Sequence, residues 1–170
     1  IKQIIFNDKH LNNSSGNYAV ILSAEGSSFY FPVDITMIHT PEYHFTLQCL
    51  SQSQCCSISI SSKNISAVYE TSNNIYISDL SKTPQEIIKL KAKSAARAIV
   101  SFADDFTLFI VYKNGLITLY NYVVRVQQSF KYPELLNRNC IAISSNYLYL
   151  SNDTGIYVFP LFSLCYSEYP

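Results

Sequence analysis

From residue 17 onward, apolar residues alternate with polar ones or run together in blocks of about six, and most blocks are bounded by Asn, Asp, Ser or Gly. The blocks NYAVIL (17–22), SFYFPV (28–33), ISAVYE (65–70), TLFIVY (107–112), NYLYLS (146–151) and IYVFPL (156–161) are short and rich in Val, Ile, Tyr and Phe. Residues of that kind favour the pleated, half-buried surface of a strand. CSISIS (56–61), IYISDL (75–80), AIVSFA (98–103), ITLYNY (117–122) and CIAISS (140–145) read the same way. EIIKLK (86–91) and VVRVQQ (123–128) carry charges, at Lys89, Lys91 and Arg125, and predict strands that meet water on one side. Only TPQEIIKLKAKSAARAIV (83–100) has helical character, with Thr83 as a cap and Pro84 as a first-turn residue. The repeat described next instead predicts an outer strand there, followed by a loop.

Aligned on their third strands, the blocks beginning at Ser28, Ile75, Ile117 and Ile156 fall 47, 42 and 39 residues apart. Each follows a turn signal: Glu25-Gly26, Asn73-Asn74, Asn114-Gly115, and Thr154-Gly155 after Asn152-Asp153. Gly and Asn accept the positive φ of tight hairpins, which accounts for a chain with four Gly that turns so often. The unit is therefore four short antiparallel strands, repeated every 39 to 47 residues. Period and strand count are those of a propeller blade, and blades bury both faces only by stacking around an axis. The expected fold is all-β: a β-propeller or partial propeller of about four blades, at 1–50, 51–93, 94–135 and 136–170. A sandwich of about ten strands remains the alternative, because it also turns every 8–12 residues.

The second unit, SISISSKNISAVYETSNNIYISDL, resembles a degenerate WD repeat. A strand ending in Ser, a short turn, a strand, a tight turn and a strand closed by an Asp-containing tripeptide follow in that family's order. Ser78-Asp79-Leu80 stands where Trp-Asp-Leu is expected, and the other units read Tyr120-Asn121-Tyr122 and Phe159-Pro160-Leu161 there. The Gly-His pair and the Trp are missing throughout. The resemblance covers residues 17–165 and implies blades packed into a ring of about seven. Four units, the last ending shortly after its third strand, and an initial Ile rather than Met predict a segment of a larger propeller completed elsewhere.

Composition agrees with a packed domain: 48% hydrophobic, 14% charged, 14 Tyr and 10 Phe. Net charge is zero but uneven. Residues 1–81 hold 3 Lys/Arg against 6 Asp/Glu, residues 82–138 hold 9 against 4, and residues 139–170 hold none against 2. The basic middle, Lys82, Lys89, Lys91, Lys93 and Arg97 with Lys113, Arg125, Lys131 and Arg138 beyond, is the candidate charged contact. Its partner would be RNA phosphate or an acidic protein, with Tyr112, Tyr120, Tyr122 and Tyr132 interleaved to stack bases. The candidate protein contact is the last unit, around Phe159, Phe162 and Tyr166, where a partner strand could add to the sheet edge.

Candidate chemistry is sparse. His10, His39 and His44 lie in no nucleophile motif, and no phosphate-binding Gly loop is present. His39, His44, Cys49 and Cys55 or Cys56 are zinc ligand types at spacings that fit no standard finger. Asp104-Asp105 reads as a turn. Five Cys without a framework spacing read as thiols of a reducing compartment, and the Asn-x-Ser/Thr matches are what so Asn- and Ser-rich a chain produces by chance. No signal peptide or membrane-length apolar run is visible. The expectation is a non-catalytic interaction scaffold, without cofactor or metal, in a multiprotein assembly of the cytoplasm or nucleus. The alternative is an RNA-associated, non-catalytic propeller subunit. A hydrolase or lyase propeller would need His and carboxylates around its channel, and here all His fall within the first 44 residues.

Overall fold

A computed structural model gives the arrangement of the chain and describes residues 1–6, 17–33, 46–51, 53–82, 87–94, 98–136, 140–143, 147–152 and 154–160. These residues are all-β, with no helix among them. The strands are β1 (Gln3–Phe6), β2 (Asn17–Leu22), β3 (Ser28–Val33), β4 (Gln48–Ser51), β5 (Cys55–Ile60), β6 (Ile65–Glu70), β7 (Asn74–Asp79) and β8 (Ile87–Lys91). They continue as β9 (Ala98–Phe102), β10 (Thr107–Tyr112), β11 (Asn114–Asn121), β12 (Val126–Leu136), β13 (Cys140–Ile143), β14 (Tyr147–Asn152) and β15 (Gly155–Pro160). Four antiparallel sheets result, each in chain order: β1-β2-β3-β4, β5-β6-β7-β8, β9-β10-β11-β12 and β13-β14-β15.

Over 87–91 the structure adopts the strand reading, as β8, while Thr83, Pro84 and Glu86 lie outside the described residues. Cross-strand pairing decides against a helix there: Ile87, Ile88, Lys89, Leu90 and Lys91 pair in register with β7 from Ser78 back to Asn74. Two strands of the first sheet, β1 (QIIF) and β4 (QCLS), are four residues each and were not marked by the sequence reading. The block 123–128 is a correction. Residues 122–125 form a turn, and β12 begins only at Val126. Asn121 drives this, since its Oδ1 accepts from the amides of Val123 (3.1 Å) and Val124 (3.2 Å), and Arg125 takes a left-handed φ of 56°.

Turn chemistry follows the Gly and Asn positions. Gly26 (φ 93°), Asn73 (φ 62°) and Gly115 (φ 87°) occupy the left-handed region at three of the predicted hairpins. Pro32 is tolerated inside β3 because β3 pairs with β4 only from Ser28 to Tyr30, leaving β2 alone beside Pro32.

The chain divides into two compact units, residues 1–95 and 96–170. In the first, Val20, Leu22 and Tyr30 of one sheet pack against Cys55, Ile58, Ile60 and Val68 of the next, with Leu80 closing the cluster. The first strand of the second sheet, β5, lies against β1 and β2. β6 is buried at all six positions, so both its faces are covered, as a strand in the middle of a stack requires. In the second unit Phe109, Val111, Ile117 and Leu119 pack on Leu148 and Leu150, with β9 beside β13. No helix among the described residues is long and apolar enough to cross a membrane.

Candidate functional site

The basic group divides by position. Lys82 follows β7 and is held by Asp79, its Nζ 3.2 Å from Oδ2, so it is engaged within its own turn. Lys89 and Lys91 lie on β8 and are exposed. Two residues apart, they share one face about 7 Å from each other. Lys89 sits over the Tyr76 ring, its Nζ 5.5 Å from the centroid, because Tyr76 is its direct cross-strand partner. Lys91 pairs with Asn74, and Lys93 continues the exposed run. Arg97 and Arg138 lie outside the described residues. In the second unit Lys113 and Arg125 occupy turns and Lys131 lies on β12, all exposed.

Of the tyrosines named for stacking, two are buried and two, Tyr122 and Tyr132, are half-buried. Tyr112 is 0% exposed and Tyr120 5%, because β10 and β11 are the inner strands of their sheet. Tyr122 packs on Phe102 and Phe106 and donates to the Asp105 carbonyl at 2.5 Å. Tyr132 lies 5.3 Å from Phe159. The aromatic residue beside the lysines is Tyr76, which the sequence signals only through the register of β7 with β8.

Phe159, named as a protein contact, is half-buried and turned inward with Tyr157 against the cluster of the second unit. Alternation along β15 places Ile156 and Val158 on the opposite, exposed side. Phe162 and Tyr166 lie outside the described residues.

The cysteines are distinct in environment. Cys49 is exposed on β4, Cys56 is intermediate, and Cys55 is buried. Burial pushes the Cys55 thiol up, against weaker pulls from the Ser28 and Ser51 hydroxyls. His10, His39 and His44 are outside the described residues, and among those described no three His, Cys, Asp or Glu gather to hold a metal. Asp104 is a turn carboxylate, its Oδ1 accepting from the amides of Phe106 and Thr107 at 2.7 Å each.

One polar cluster went unnoticed in the sequence. Glu70 ends β6 at 3% exposure. Its two oxygens accept from Ser51 Oγ (2.8 Å) and Ser72 Oγ (2.9 Å), so the carboxylate ties β4 to the β6–β7 turn. A charged residue closing an otherwise apolar strand was the available signal.

Asp79, in the tripeptide that resembles Trp-Asp-Leu, closes the turn after β7. Burial is the largest single influence and pushes its carboxyl up, but the Ser81 hydroxyl and amide together with Lys82 outweigh it and hold the carboxyl below its usual value. A carboxyl lowered by folding stabilises the native state above its unfolded pKa and loses that contribution as pH falls through the folded value. Wild type is therefore expected to exceed Asp79→Asn by about 1 kcal/mol or less at pH 7. The gap should close below about pH 4 in urea titrations run at several pH values; a gap constant with pH would refute the assignment.

No protein-family model matches the chain, and no curated protein matches it either.

Proposed function

We propose that the chain is a segment of a degenerate, WD-repeat-like β-propeller, with blades near 1–50, 51–93, 94–135 and 136–170, that serves as a non-catalytic protein-interaction scaffold in an intracellular multiprotein assembly. The observation that carries this reading is the order of stacking. Within each unit, successive antiparallel sheets follow chain order, and the first strand of the later sheet packs on the early strands of the one before, β5 on β2 and β1, and β13 on β9. A sandwich made of two continuous sheets would not divide at the boundaries of the sequence repeat. The wholly buried second strand β6 and the charged outer strand β8 fit the same radial scheme.

The scaffold role draws on chemistry as well as architecture. Among the described residues, the carboxylates of Asp79, Asp104 and Glu70 are engaged in turns and clasps. Affinity purification with and without nuclease, read by mass spectrometry, tests it. A co-purifying set of proteins that survives nuclease is expected; a protein that purifies alone would overturn it.

The RNA-associated reading keeps one favourable observation, the exposed Lys89–Lys91–Lys93 run with Tyr76 beside it. Under that reading Lys89→Glu, Lys91→Glu and Lys93→Glu together abolish RNA binding, and affinity falls steeply with salt for the wild type. Unchanged RNA affinity in the triple variant sinks it.

A further inference from the structure

β8 closes the strand order β5-β6-β7-β8 and has β7 as its one strand neighbour among the described residues. The Ala92 amide donates to the Asn73 carbonyl at 2.9 Å, which makes Asn73 and Ala92 a hydrogen-bonded pair. Antiparallel pairs alternate, so Ile75–Leu90 and Ile77–Ile88 are bonded in the same way, and Tyr76–Lys89 and Asn74–Lys91 are not. The amides and carbonyls of Lys89 and Lys91 therefore point away from β7, toward the edge of the sheet. Their side chains are exposed and stand on one face.

The carboxylates of β6, β7 and β8 are Glu70 and Asp79, and both are engaged elsewhere. Glu70 is 3% exposed and bound by Ser51 and Ser72, while Asp79 holds Lys82 and the Ser81 hydroxyl. Tyr76 turns a ring face to the Lys89 ammonium, and that face is then closed to a nucleic-acid base.

A bare sheet edge accepts strands of any kind, and lysines along it exclude those that would leave the ammonium groups unpaired. A strand that brings carboxylates is admitted. Laid antiparallel on β8, it exchanges main-chain bonds with Lys89 and Lys91, and its residues opposite them stand on the same face about 5.5 Å away. Those two residues are themselves two positions apart, so Asp or Glu at alternate positions matches the lysines one to one. The 170 residues hold no such segment for their own use or for a second copy, since no two of the 12 Asp and Glu are two positions apart.

We propose that the β8 edge takes an extended acidic segment of another polypeptide, added as a further antiparallel strand with carboxylates at alternate positions facing Lys89 and Lys91. This deepens the scaffold reading, on which it rests for the existence of a protein partner. Main-chain bonds hold the segment, and the charges select it.

The purified protein is tested by fluorescence anisotropy and amide hydrogen exchange. The probes are a synthetic peptide alternating Glu with Thr, a peptide of the same composition with its Glu in one block, a peptide alternating Lys with Thr, and single-stranded oligouridylate. The alternating Glu peptide is expected to bind and to slow exchange of the Lys89 and Lys91 amides about tenfold or more. N-methylation of the peptide amides that face β8 should abolish binding, because it removes the ladder donors. Lys89→Glu with Lys91→Glu should lose this peptide and take the alternating Lys peptide instead, at an unchanged melting temperature; Lys89→Gln with Lys91→Gln serves if the acids perturb folding, and should lose the Glu peptide. Equal affinity for the blocked peptide, tighter binding of the oligonucleotide, or no slowing at 89 and 91 overturns the inference. So does protection of both amides before any peptide is added, since the protein's own chain would then hold the edge. If the peptide fails while the nuclease-resistant set of partners persists, the inference falls alone; if that set is absent as well, the scaffold reading falls with it.

Discussion

Phe109→Ala is expected to destabilise the 96–170 unit by about 3–5 kcal/mol, the usual cost of emptying an aromatic site in a core. Phe109 is 1% exposed and lies on β10, with Ser101 and Leu119 as its cross-strand partners. Its side chain belongs to the cluster that joins the β9–β12 and β13–β15 sheets. Strands held by ladders on both sides cannot move in to fill the space, so most of the cavity should persist. The check is native-state hydrogen exchange of the β10 and β11 amides, beside urea titration of the whole chain. Ile156→Ala is the matched control. Its side chain is 74% exposed, and about 0.5 kcal/mol or less is expected. Equal losses for the two variants would mean that the cluster does not hold the sheets together.

How much of this was legible beforehand depended on what each residue answers to. Strand positions were readable because alternation and turn residues act locally. β2, β3, β6 and β10 run over the very residues marked by their apolar blocks. The repeat also placed β8 against a local helical signal, and over 87–91 pairing in register with β7 decides for the strand. The turn at 122–125 was missed because Val123 and Val124 favour strands, and only the Asn121 side chain bonding to their amides overrides them.

Site residues were harder to read, because which side of a strand a residue faces depends on register. A shift of one residue exchanges Phe159 with Val158, and the sequence named the inward member of that pair. The lysines were visible as composition, but their neighbour Tyr76 appears only once β7 is set beside β8. Glu70 was passed over because one of its two hydroxyl partners, Ser51, is 19 residues before it, a separation no local pattern encodes.

Gly26 gives the second large effect, and there the backbone decides rather than the core. Its φ of 93° lies in the left-handed region at a value that side-chain-bearing residues rarely adopt, so any side chain is strained. A Cβ on Gly26 would also stand 3.3 Å from both the Cys55 nitrogen and the Gln54 Cα, atoms of main chain and not the end of a side chain that could swing away. Retreat is blocked by a bond the two segments share: the Cys55 amide donates to the Gly26 carbonyl at 2.7 Å, tying the β2–β3 turn to the start of β5. Relief of the contact therefore lengthens that bond, and strain and bond together make Gly26→Ala cost about 2–4 kcal/mol. The measurement is the urea midpoint of the variant against wild type, with Asn73→Gly as the control, since Asn73 holds a turn at φ 62° with its side chain in place. That control gains backbone ease but gives up the bond from the Tyr69 hydroxyl to Asn73 Oδ1 at 2.9 Å, so a change within about 1 kcal/mol is expected. A Gly26→Ala midpoint equal to wild type would show that the turn can leave its left-handed conformation without disturbing β5. The tie between the first two sheets would then rest on the Val20–Leu22–Ile58–Val68 contacts and on the Glu70 carboxylate that accepts from Ser51.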